Sequence, residues 1–184
     1  MPDVSFDRLS TARLILRRFH PADLDSFVAY RADPEVARYQ SWENFTRDDG
    51  VQFIGEMSAQ HPDTPSEWFQ IAIELKATGE MIGDCALHAL ADAPGEAEIG
   101  FTLASRFRGQ GYATEAVACL LDYLFGPLRK QRVLAITDVR NIRSIAVLER
   151  LGFSSDPAPR EPALFKNELC QEQLYVLKRE AWRR

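Results

Sequence analysis

Cysteine is scarce in this chain and poorly placed for structural work. Cys85, Cys119 and Cys170 are odd in number and far apart, so they offer neither a disulfide framework nor a metal-ligand spacing. Such usage fits reduced thiols, and a cytoplasmic location is the expectation. A basic excess is lacking as well. Lys and Arg number 22 against 27 Asp and Glu, and the net charge of −5 argues against general nucleic-acid binding. No apolar run spans a bilayer, because the most apolar helical stretch is interrupted by Asp122, so no membrane partner is expected. The first residues, Met1 to Asp7, are polar and acidic, unlike a secretory signal. Linkers, repeats and low-complexity tracts are absent, and no Cys-His nucleophile pair stands out. What remains is 46% hydrophobic and 27% charged, the balance of a globular chain. We read residues 1–184 as one α/β domain, long enough to bury a core.

The chain is organised around Arg108-Gly109-Gln110-Gly111-Tyr112-Ala113. Before it, Glu96 to Leu103 alternates apolar Ile99, Phe101 and Leu103 as a strand does; after it, Ala113, Ala116, Val117, Leu120, Leu121 and Leu124 recur at helical spacing. Gly109 and Gly111 therefore stand at a strand-to-helix turn, where a missing Cβ lets a ligand approach the backbone. The first helical amides lack internal acceptors and carry the positive end of the helix dipole, so the turn can hold a pyrophosphate without metal. A P-loop is excluded, because Tyr112-Ala113 stands where Lys-Ser/Thr is needed. A dinucleotide fingerprint is incomplete, because Thr114 takes the place of its third glycine. The pattern R/Q-x-x-G-x-G/A fits, through Arg108, Gly111 and Ala113.

Along the rest of the chain, Arg13 to Phe19 reads as a strand and His20-Pro21-Ala22-Asp23 opens a helix. Asp33-Pro34 starts a second helix, and Thr46 caps a third. Trp68 to Leu75 and Met81 to Leu90 form a hairpin around Ala77 to Glu80. Arg132 to Val139 is a buried strand, and Asn141 caps a helix running through Leu151, with Gly152 as its stop. Phe165 to Leu169 and Gln173 to Leu177 are expected to make a last antiparallel pair.

The glycine pattern resembles the pyrophosphate loop of the GNAT superfamily of acyl-CoA-dependent N-acetyltransferases. The likeness extends to Thr11-Ala12-Arg13-Leu14, Asp23, Asp33-Pro34-Glu35-Val36, Trp42, Ile82-Gly83, Ala97 to Phe101, Arg108 to Ala116 and Asn141 to Phe153. As an ordered set covering nearly the whole chain, these segments resemble the RimJ/RimL-like branch. The resemblance implies a mixed, mostly antiparallel sheet flanked by helices, acetyl-CoA as donor, no metal, and an amine acceptor, often a protein N-terminus. It implies that backbone groups around Phe101 to Leu103 pair with the pantetheine arm. Amides of Arg108, Gly109, Gln110, Gly111, Tyr112, Ala113 and Thr114 would hold the pyrophosphate, and the Asn141 side chain would contact pantetheine.

An amine attacks a thioester only when neutral, so a base or water chain must take its proton, and the leaving thiolate benefits from a donor. Glu98 is the first candidate for the base, weighed against a plain exposed strand carboxylate; His88 is the second. Many members of the superfamily place a tyrosine acid where this chain has Leu148, and Ser144, one helical turn earlier, is the substitute. Tyr112 and Tyr175 are further candidates. By analogy Trp42, Trp68 and Tyr39 line the acceptor side, although aromatics there equally serve packing. The acidic net charge suits a cationic peptide, a polyamine or an aminoglycoside alike. Three classes stay open: a protein N-terminal acetyltransferase, a small-molecule amine acetyltransferase, and an acyl-CoA-binding module without catalysis. Monomer and homodimer are both open.

Overall fold

The computed structural model describes residues 6–158 and 160–183. Its strands are β1 (Arg8–Ser10), β2 (Leu14–Arg17), β3 (Trp68–Leu75), β4 (Glu80–Ala89), β5 (Glu96–Leu103), β6 (Arg132–Asp138), β7 (Ser154–Ser155), β8 (Ala163–Phe165), β9 (Glu168–Cys170) and β10 (Glu172–Lys178). Its α-helices are α1 (Leu24–Arg31), α2 (Pro34–Ala37), α3 (Arg47–Ala59), α4 (Tyr112–Phe125) and α5 (Ile142–Arg150). Eight strands form one sheet in the order β1-β2-β3-β4-β5-β6-β10-β7. Every neighbouring pair is antiparallel except β5 and β6, which are joined through α4 as a crossover and run parallel.

Alternation along the strands assigns the two faces. Phe69, Ile71 and Ile73 of β3, with Cys85, Leu87 and Ile99, share one buried cluster with Ala116, Val117, Leu120, Leu121 and Leu124 of α4. The apolar stripe of α4 is thus its core face, and truncating the fully buried Leu120 to alanine should cost about 2–5 kcal/mol. Ala72, between Ile71 and Ile73, points the other way and joins Phe27, Tyr30, Val36 and Ile54 of the first three helices in a second cluster. Local signals set the helix starts. Asp33 accepts a hydrogen bond from the Glu35 amide, and Thr46 and Asp49 cap α3 reciprocally. Pro21 lies in a short 3₁₀ turn before α1, and Asp23 in that turn takes both terminal nitrogens of Arg17 at 2.7 and 2.8 Å.

Two expectations are corrected. The first strand is shorter than Arg13 to Phe19 and pairs with the separate β1. The last antiparallel pair is not Phe165–Leu169 with Gln173–Leu177. Lys166 and Asn167 both have positive φ, the backbone of a tight two-residue turn, so β8 and β9 close on each other as a small hairpin. Meanwhile β10 takes seven consecutive positions on β6, Glu172↔Asp138 to Lys178↔Arg132.

Candidate active site

The strand-to-helix turn is built as its glycines require. Gly109 (φ 76°) and Gly111 (φ 81°) are both left-handed, and Gly111 is the N-cap of α4. A latch from the far side of the sequence holds the turn. The Glu115 carboxylate, in the first turn of α4, accepts Thr11 Oγ1 at 2.5 Å, the Arg13 amide at 2.9 Å and Arg13 Nε at 2.6 Å. Arg13 Nη1 then donates to the Gln110 carbonyl at 3.0 Å, and its guanidinium lies 4.4 Å from the Tyr112 ring centre. Burial alone would raise the Glu115 carboxyl, but the hydrogen bonds from Thr11 and Arg13 outweigh it and hold it below the ordinary value. On the other side, Asp33 ties the start of α2 to the loop by accepting Ser105 Oγ at 2.6 Å.

Beyond this turn the sheet opens. β5 and β6 pair only at Glu96↔Arg132, Ala97↔Val133 and Glu98↔Leu134, although both strands continue for several residues. From Ile99 to Leu103 the β6-facing edge of β5 is therefore free of ladder bonds, an edge that can pair with an amide-bearing chain. A cavity of about 1200 Å³ runs from the turn to this edge. Its lining includes Phe101, Leu103, Arg108, Gly109, Gly111, Tyr112, Ala113, Thr114 and Asn141. Five arginines, Arg38, Arg108, Arg140, Arg143 and Arg150, line it against the one acid Glu35. In a chain of net charge −5, that is a local reversal suited to a polyanion. Burial, and then repulsion from Arg143, lowers the Arg108 pKa from its ordinary value. A second cavity of about 130 Å³ lies where the strands part. Tyr39, Gln40, Phe101, Asn141 and Ser144 line both, so the two form one cleft.

The model of the acetyltransferase (GNAT) domain family matches residues 13–154, most of the chain. This chain belongs to the GNAT acetyltransferases. It is similar to the uncharacterized N-acetyltransferase p20 of Bacillus licheniformis, at 33% identity over 179 residues, 95% of this chain and 98% of that one. The protein named "Putative ribosomal N-acetyltransferase YdaF" of Bacillus subtilis is 36% identical over 104 residues, 55% of this chain and 56% of that one. Among solved structures, a GNAT-family acetyltransferase from Bacillus anthracis superposes with a TM-score of 0.83 at 24% identity, covering 94% of this chain and 99% of that one. The fold is the GNAT fold, a mixed, mostly antiparallel sheet flanked by helices, and the activity class is acyl transfer to an amine, a chemistry that in GNAT enzymes generally draws on acetyl-CoA.

Within this GNAT cleft, Glu98 stands at the vertex, the last residue of β5 to pair with β6. It lies outside the lining of both cavities and is half-buried. Burial raises its carboxyl, the neighbouring His88 and Arg160 pull it down, and Glu172 pushes it up again. Ser144 and Asn141 line both cavities, and Asn141 also does its ordinary work as N-cap, Oδ1 accepting the Ser144 amide at 3.3 Å. Leu148, buried one turn further, lines the smaller cavity. Gln110 is not in either lining; its carbonyl is taken by Arg13 and its side chain turns to the Arg106 carbonyl.

Of the aromatics, Tyr39 lines the cleft, whereas Trp42 packs 3.9 Å from the buried Arg31 guanidinium and donates to the Arg31 carbonyl. Trp68 stacks on His88. Sequence reasoning passed over the arginines of α5 and gave the β8–β9 segment the wrong partner. Arg143 and Arg150 are seven residues apart, two helical turns on one face, and that spacing was a usable signal of a clustered positive charge. The hairpin had none. It brings Phe165 and Cys170, with Glu172 just beyond, over the small cavity, and Lys166 Nζ anchors it to the carbonyls of Ala37 and Trp42 at 2.6 and 2.7 Å.

Proposed function

We propose that this acetyltransferase moves an acetyl group from acetyl-CoA to a primary amine by direct attack in a ternary complex, with the N-terminal amino group of a protein as the favoured acceptor. The observation that carries the reading is the polarity of the cleft. Its wide end is lined by five arginines and one acid, Glu35, its narrow end carries the two acids Asp138 and Glu172 and no arginine or lysine, and the two share a waist at Phe101, Asn141 and Ser144. A polyanionic thioester and a cationic amine can then enter from opposite ends and meet at the vertex.

In this reading the Arg108 to Thr114 turn receives the pyrophosphate, with the amides of α4 as donors. The free edge at Phe101 to Leu103 pairs with the pantetheine amides, and Asn141 supports the arm. Glu98, which stands just outside the cleft lining, takes the proton of the ammonium through water, and Ser144, directly or through water, supplies one to the sulfur. A protein acceptor is supported by the ribosomal N-acetyltransferase named among the relatives. A second reading, a small polyamine-like acceptor, is favoured by the roof that Tyr39, Gln40 and Phe165 place over the narrow end.

Free-thiol release from acetyl-CoA, measured against peptides with different N-terminal residues and a panel of small amines, tests both. Peptide turnover with intersecting initial-rate lines is the expected result. Parallel lines, or acetyl label trapped on Cys170, would overturn direct transfer. Absence of turnover with every acceptor, despite tight CoA binding, would leave only a binding module.

A further inference from the structure

Trp68 of β3 is the register partner of His88 of β4, and His88 is the register partner of Glu98 of β5. Directly opposed side chains of antiparallel strands have Cβ atoms about 4.5–5.5 Å apart and leave the sheet on one face. The three therefore form a row from the open edge of that face to the vertex of the cleft. The rings of Trp68 and His88 stack with centroids 4.9 Å apart and planes 17° from parallel. Trp68 is 40% exposed, His88 is half-buried, and His88 Nδ1 is enclosed without a hydrogen-bond partner among the described residues. Trp68 thus meets water at one end of the row, while His88 and Glu98 are both half-buried.

Proton balance gives such a row something to do. An acceptor that enters as an ammonium and leaves as an N-acetyl amide loses two protons. The nitrogen lone pair forms the new bond to the acyl carbon, and the C–S bond breaks with its electron pair left on sulfur. That sulfur takes one proton and becomes the CoA thiol. The other proton must reach solvent in every turnover, and a half-buried Glu98 that has accepted it must be emptied before the next.

We propose that His88 empties Glu98. No hydrogen bond joins the two side chains directly among the described residues, so the carboxyl passes its proton through water to the imidazole, which Trp68 holds flat against its own ring, and the imidazole releases it to solvent. Two other charged groups act on Glu98: Arg160 from the segment before β8, and Glu172 of β10, which pair with each other at 3.7 Å. Arginine does not release its proton, and Glu172 is turned toward Arg160, so imidazole is the side chain of this set suited to both taking and giving a proton near neutrality. His88 acts through Glu98, as a relay and positioning residue. The inference rests on the transfer proposed above.

The test compares wild type, His88→Gln, which keeps most of the side-chain volume, and His88→Ala. Turnover is followed between pH 6 and 9 by thiol release, with peptides beginning in Ser or Ala and with spermidine as acceptors, and CoA affinity by calorimetry. Both variants should lose turnover by about tenfold to a hundredfold, with CoA affinity within about twofold of wild type. Added imidazole should restore His88→Ala. In His88→Gln the acid limb of the rate profile should move to higher pH, because Glu98 has lost a neighbouring cation that favours its ionised form. Wild-type turnover in His88→Ala overturns the relay. So does a loss that imidazole fails to restore while CoA affinity is intact. Failure of wild type itself with every acceptor would fall on the transfer reading instead, so the two failures are distinguishable.

Discussion

Replacing Gly111 with valine acts on the cleft in two separable ways. At φ 81°, the backbone is left-handed, and an L side chain there costs about 1–2 kcal/mol. The added Cβ would meet Arg13 Nη2 at 3.4 Å, the far end of a flexible side chain that can withdraw. In a domain of this size each kcal/mol corresponds to roughly 2–4 °C, so melting should fall by about 2–8 °C without loss of the fold. Gly111→Ala enters the same left-handed backbone without the β-branch and should melt no lower than Gly111→Val. The difference between the two variants lies in the valine methyls, which stand at the mouth of α4 where the pyrophosphate is proposed to approach the amides. CoA affinity by calorimetry should therefore fall by about tenfold or more in Gly111→Val, about 1.4 kcal/mol, and by less in Gly111→Ala. A folded Gly111→Val protein with wild-type CoA affinity would refute the assignment of that turn.

Other perturbations test the remaining parts of the site. Ser144→Ala should lower turnover by about a hundredfold with CoA affinity nearly intact, whereas Asn141→Ala should weaken calorimetric CoA binding as well, since it both lines the cleft and caps α5. Arg143→Ala and Arg150→Ala should each weaken CoA several-fold and flatten the dependence of its affinity on salt; an unchanged salt dependence would remove the arginines from the anion site. The Glu115 carboxyl lies below its ordinary value of 4.5, so its latch contributes stability above that value and loses it as pH falls through the folded one. The difference in melting temperature between wild type and Glu115→Gln should accordingly be largest near neutrality and shrink on acidification. A difference that grew in acid would contradict the latch.

The local patterns carried a large share of this molecule. The stripe from Ala113 to Leu124 declares a helix with one buried side, Asp33 and Thr46 announce helix starts, and the pair Gly109 and Gly111 marks a left-handed turn. Each is a consequence of backbone sterics or of side-chain period within a few residues, and needs no distant partner. For the same reason the glycine turn at the start of α4 was legible before any fold was known. The β8–β9 hairpin was misread as one strand because Phe165 to Leu169 has apolar residues only at its two ends, with the turn residues Lys166 and Asn167 between them, and a short stretch does not say which strand it will pair with.

What only the tertiary structure decided are the features made by segments remote in sequence. The parting of β5 from β6 after Glu98 and Leu134 is a property of two strands that meet only through the α4 crossover. The Thr11, Arg13 and Glu115 latch joins residues about a hundred positions apart. Five arginines from three separate stretches of chain converge on one cavity in a protein that is acidic overall. Trp68, His88 and Glu98 stand in line because two antiparallel registers happen to agree. Register and convergence are set by how the whole core packs, an energy summed over many weak contacts, and no short window of sequence contains that sum.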